Sequence, residues 1–228
     1  MKSAIPFLLF VFIGLGSIHP AKSQTVQTIN GLQQQYLGTF RINPKSDGVM
    51  GTPFLFDIPP LGTIGLSGGK DYSEIPFNIL LEKNEVYIQT GGEDSEPLLV
   101  RNWEWIEIPG EEKRSFKMEY LQGKPQLVEM LYEKDREKYI ASHKKTLIRP
   151  SGQRDGYSGP QYDTFRHDIK YFKLEGMNTM EIKTNSAGLK EWAGNRNAEL
   201  KEFMKEKKLN PDNPSDMKKI ITFLVNLP

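Results

Sequence analysis

Apolar and polar residues alternate with a period of two through most of this chain, and shift to helical spacing only beyond residue 184. Successive strand side chains point to opposite faces, so a period of two marks a strand buried on one face. The densest such signals fill residues 51–90. There Ile75, Phe77, Ile79 and Leu81 alternate with Pro76, Asn78 and Glu82, and Val86 and Ile88 return after Lys83-Asn84. Asn tolerates positive φ, so Lys83-Asn84 predicts a tight hairpin connection. Upstream, Pro59-Pro60 forces an extended passage, because neither proline has an N–H to give. Ile64 and Leu66 share one face of a weak strand that ends at the Gly68-Gly69 turn.

Further strands are predicted at residues 36–42, 98–100, 103–108, 115–120, 126–132 and 139–148. Residues 126–132 are nearly continuous in apolar character, as for a strand covered on both faces. Residues 150–167 read as an irregular insert, and residues 168–174 and 179–183 as a closing hairpin around Glu175-Gly176. A short helix is predicted at 186–192. A longer one at 195–208 carries Leu200, Phe203 and Met204 at i, i+3 and i+4. Pro211 breaks it. Asn213-Pro214-Ser215-Asp216 then restarts a helix, with Asn as N-cap, Pro at the first helical position and an acid in the first turn. Its apolar stripe is Met217, Ile220, Ile221 and Leu224. The fold class is therefore α+β, mainly β. A curved or partly barrel-like antiparallel meander (36–183) is followed by C-terminal helices (185–228), together one globular domain spanning 24–228.

Residues 1–23 read as a secretory signal peptide. Lys2 precedes the apolar run 4–16, and Ala21-Lys22-Ser23 places small residues where a signal peptidase inspects them. The run is shorter than the roughly 20 residues a membrane span needs. No membrane span is expected once this leader is removed. The chain has no cysteine, which excludes disulfides, thiolate metal sites and a thiol nucleophile. Export without disulfides suits a periplasm, so the chain is expected to be exported and periplasmic. Of 30 basic residues, Lys2 and Lys22 leave with the leader, against 29 acids that remain. No net field then favours nucleic acid or anionic lipid.

The series Gly-Thr-Pro-Phe-Leu-Phe-Asp (51–57), Gly-Thr-Ile-x-Leu-x-Gly-Gly-Lys-x-Tyr (62–72), Ile-Pro-Phe-Asn (75–78) and Glu-Val-Tyr-Ile (85–88) resembles a group of uncharacterised exported proteins of Bacteroidota-type bacteria. The tail is similar as well, in Leu-Lys-Glu-Trp (189–192) and the run 199–210. The resemblance implies a secreted or periplasmic β-rich protein with a helical end. It implies no activity and no site residues.

Candidate chemistry is sparse. His143 and His167 have no ligand or triad spacing, and read as surface or satisfied histidines. Neither a nucleophile elbow nor a zinc-protease motif is present. Gly68-Gly69-Lys70 lacks the first glycine of a phosphate loop and reads as a turn. Asn210, Asp212 and Asp216 read as helix capping rather than a calcium loop. Trp103 and Trp105, at i and i+2, are expected to share a strand face, as core or as a stacking platform for sugar rings. The insert, taken as 149–167, offers Arg149, Arg154, Tyr157, Tyr162 and Arg166 for a carboxylate, phosphate or glycan. No catalytic residue, metal or cofactor is assigned. The leading expectation is a non-enzymatic module that binds an envelope protein or glycan. The alternatives are a carboxylate-dependent hydrolase or glycan-processing enzyme, and a carrier of a small apolar ligand inside the curved sheet.

Overall fold

The computed structural model describes residues 48–89, 96–149 and 161–226. The leader, the polar arm, the strand expected at 36–42, and Arg154 and Tyr157 of the insert lie outside the described residues. The strands are β1 (Val49–Met50), β2 (Leu61–Leu66), β3 (Asp71–Leu80), β4 (Glu85–Ile88), β5 (Leu98–Val100), β6 (Trp103–Ile108), β7 (Arg114–Leu121), β8 (Lys124–Lys134), β9 (Glu137–Ile148), β10 (Asp163–Glu175) and β11 (Asn178–Ile182). Helices α1 (Ser186–Ala193), α2 (Asn197–Lys207) and α3 (Pro214–Asn226) follow.

The strands make one mixed sheet in the order β1-β10-β9-β8-β7-β6-β2-β3-β4-β5, with β11 also on β10. Every pair is antiparallel except β1 with β10. Two details depart from a closed or simple meander. The sheet is open, and β6 returns to pair with β2 instead of β5. This return follows from β3, which pairs β2 through Pro76 and β4 from Phe77 onward. The β2–β3 half then keeps a free edge for β6.

The expected hairpin is present, and Asn84 adopts φ 55° in its turn. The irregular insert ends earlier than its composition suggests. Residues 163–167 belong to β10, where buried Asp163 and Phe165 alternate with exposed Thr164 and Arg166. They pair with β9 from Thr164↔Ile148 onward, so tertiary pairing overrides a loop-like composition.

Two of the apolar clusters on these strands bear on the site. Ile64, Phe77, Ile79, Val86, Ile106, Phe116 and Leu127 form one, on β2 to β8. The other joins Leu131, Tyr139, Ala141 and Tyr171 to Leu189, Leu200 and the α3 stripe Met217, Ile220, Ile221 and Leu224. The four stripe residues are all buried, as their spacing predicts. Asn213 Oδ1 accepts hydrogen bonds from the N–H groups of Ser215 (2.9 Å) and Asp216 (3.4 Å), which fixes where α3 starts. Asp216 Oδ2 accepts the Asn210 N–H and Asn210 Oδ1 the Asp212 N–H, so these two side chains tie down the loop before α3, and the cap itself is Asn213.

Candidate functional site

Glu129 interrupts the apolar run of β8, and burial there makes its charge expensive unless it is paired. Only 3% of it is exposed. Arg114 on β7 approaches it bidentately, with Nε 2.7 Å from Oε1 and a terminal guanidinium nitrogen 2.8 Å from Oε2. His143 Nε2 lies 2.9 Å from Oε2, and His143 Nδ1 lies 3.0 Å from His167 Nε2. The Arg114 guanidinium also sits over the rings of Phe56 and Phe116, at 5.3 and 5.2 Å. Four strands thus supply one hydrogen-bonded chain: Arg114, Glu129, His143 and His167.

Burial opposes ionisation of Glu129. Hydrogen bonds from Arg114 and His143 outweigh it and hold the pKa down to about 2. An ionised Glu129 can only accept, so His143 Nε2 donates to it. With neutral rings, His143 Nδ1 then accepts from His167 Nε2, which leaves His167 Nδ1 as the remaining acceptor of the chain. His167 is held down to about 4, by burial first and then by its closeness to the His143 ring and to the Lys145 ammonium. His143 is thus a buried, satisfied histidine and His167 a surface one, as read from the sequence, and each ring fixes the tautomer of the next. The signal in the sequence was Glu129 itself, a carboxylate inside Leu127-Val128-Glu129-Met130-Leu131.

His143 also stands where β8 and β9 part. Their pairing runs from Lys134↔Glu137 to Glu129↔Ala141. Beyond it, residues 124–128 pair only with β7 and residues 142–148 only with β10. A cleft of about 1190 Å³ opens between the diverging halves. The β3–β4 turn forms one wall and the β9–β10 ribbon the other. Lys144, Lys145, Arg149, Arg166 and Lys170 line it, against the acids Glu82 and Asp168. Arg166 pairs with Asp168 at 2.9 Å, and Lys170 with Glu181 at 3.2 Å.

The structure therefore brings Arg149 and Arg166 together, while Tyr162 lies apart, beside Gly48. The two tryptophans do not form a platform. Gly65 faces Trp105 and Leu66 faces Trp103, so β6 carries one extra residue, Glu104, at that point. This bulge breaks the alternation. Trp103 packs on the apolar cluster around Ile64 and Ile106. Trp105 lies over Gly65, where a Cβ would collide with its indole. Both rings are half-buried.

Among the described residues, no group of three or more His, Asp or Glu is placed to hold a metal ion. None of their helices is long and apolar enough to cross a membrane. Compared with known proteins, the chain matches no family model, no curated protein and no solved structure.

Proposed function

We propose that this is an exported, periplasmic binding protein whose cleft between β8 and β9 takes an anionic segment of an envelope protein or glycan. The export half of this reading rests on residues 1–23. The binding half rests on one observation: five basic side chains and only two acids line a cleft of about 1190 Å³. A carboxylate-dependent hydrolase needs two carboxylates facing its substrate. Of the two acids that line the cleft, Asp168 is engaged by Arg166, which leaves Glu82 by itself. An apolar ligand within the sheet would need room where Ile79, Ile106 and Phe116 are fully buried.

Calorimetric titration of the full chain with an oligoglutamate peptide and with an oligogalacturonide tests this. At least one should bind in low salt, and Lys144→Ala with Arg166→Ala should weaken it about tenfold. Unchanged affinity in that double variant, or no binding of either anion, overturns the reading.

A further inference from the structure

We propose that the occupant of this cleft is an extended acidic polypeptide that adds to β9 as a new strand along residues 142–148. The inference rests on the anion-binding reading and specifies its ligand. In an antiparallel ladder each residue turns its N–H and C=O to one side, and alternate residues turn them to opposite sides. Through 142–148, β9 engages β10 on one side, from Ser142↔Lys170 to Ile148↔Thr164. On its other side no described strand pairs with it beyond Ala141. The groups turned that way face the cleft.

The opposite wall needs no such partner. Asn84 reaches from the β3–β4 turn to the freed edge of β8. Its Oδ1 accepts the Leu127 N–H at 2.9 Å, and its Nδ2 donates to the Pro125 carbonyl at 3.5 Å. One side-chain amide thus stands in for a strand on β8. Ser142 Oγ bridges to Gln126 Oε1 at 3.4 Å where the strands begin to part, and beyond it no described strand covers this edge of β9. An open edge of this kind is where strand addition occurs.

Charge selects the strand. On the sheet face shared by i and i+2, Ser142, Lys144 and Thr146 stand opposite Lys170, Asp168 and Arg166. Lys144 is exposed, and no described acid lies within ion-pair distance of it. A second copy of this edge would set Lys144 and Lys145 against themselves, which disfavours self-pairing. A strand with acids at every second position would meet Lys144 directly and Arg166 and Lys170 one strand further on. A glycan could satisfy the charges, but it does not carry amide donors and carbonyls at the strand repeat.

The test uses three probes on the full chain: a seven-residue peptide alternating Glu with Val or Thr, the same peptide N-methylated at alternate amides, and an oligogalacturonide. The unmodified peptide should bind, should slow amide exchange within 142–148, and should lose about tenfold or more on methylation of the amides that face β9. Equal binding of both peptides overturns strand addition and leaves anion binding standing. Binding of the oligogalacturonide alone does the same. If none of the three binds, both readings fall.

Discussion

Glu129 is a buried carboxylate whose charge is matched by Arg114 and His143, so single substitutions there should be costly. Glu129→Ala leaves Arg114 and His143 facing each other without their anion. A loss of about 3 kcal/mol is expected, measured by urea unfolding at pH 7. A loss near zero would mean that Arg114 simply turns to solvent. His167 makes a pH prediction. Its folded pKa of about 4 lies below the ordinary 6.5, so the unfolded chain binds more protons between those values. The stability His167 contributes is therefore complete above pH 6.5 and is lost as pH falls toward 4. The shift alone would give about 3 kcal/mol. His167 is exposed enough for water to screen it, so about 1–2 kcal/mol is expected. His167→Gln should flatten the stability profile across that window, and an unchanged profile would assign the pH dependence elsewhere. Glu129 acts lower, between pH 4.5 and about 2, so the two are separable. Tyr171 gives the contrasting case. Its hydroxyl is buried without a hydrogen-bond partner, and burial raises its pKa. Removing an unsatisfied group relieves its desolvation penalty, so Tyr171→Phe should be neutral or stabilising by up to about 1 kcal/mol.

At the scale of elements, α3 was the most legible. Spacing named its four buried residues and composition named its start, since a helix end is fixed by local chemistry. Asn213→Ala should cost about 1 kcal/mol, and Ile220→Ala about 2–4 kcal/mol by leaving a cavity against β8. A thermal shift for Asn213→Ala as large as that for Ile220→Ala would contradict this ranking. Strand β6 was legible as a strand but not in its facing. The extra residue Glu104 is invisible in a pattern of alternating types, because only the partner β2 reveals two residues opposing one. Gly65→Ala tests the arrangement. The new methyl group must displace the Trp105 indole, so tryptophan fluorescence should shift, with a loss of about 1–3 kcal/mol from overpacking. An unshifted spectrum would remove Trp105 from that position. Strand β10 was read too short at its N-terminal end. Its first residues look like a loop until β9 pairs with them.

Taken together, the described residues form an open mixed sheet with terminal helices that diverges where β8 leaves β9, and the divergence makes the cleft and leaves residues 142–148 with no described partner strand on that side. Arg149 and Arg166 were nameable from composition, and they do line the same cavity. Lys144 and Lys145 could not be assigned to it from the sequence, because only the parting of β8 from β9 turns them toward a cavity. What the sequence determined by itself are the properties carried by neighbours along the chain: strand and helix identity, the turn at Asn84, the cap at Asn213, the lack of thiol chemistry and the expectation of export. These need only local sterics, hydrogen bonding and the period at which apolar side chains recur. The tertiary structure alone decided which faces meet. It set Arg114, Glu129, His143 and His167 into one chain, moved β6 beside β2, and separated β8 from β9. Those outcomes depend on register and pairing between distant strands, and a one-residue change in register turns every side chain to the opposite face.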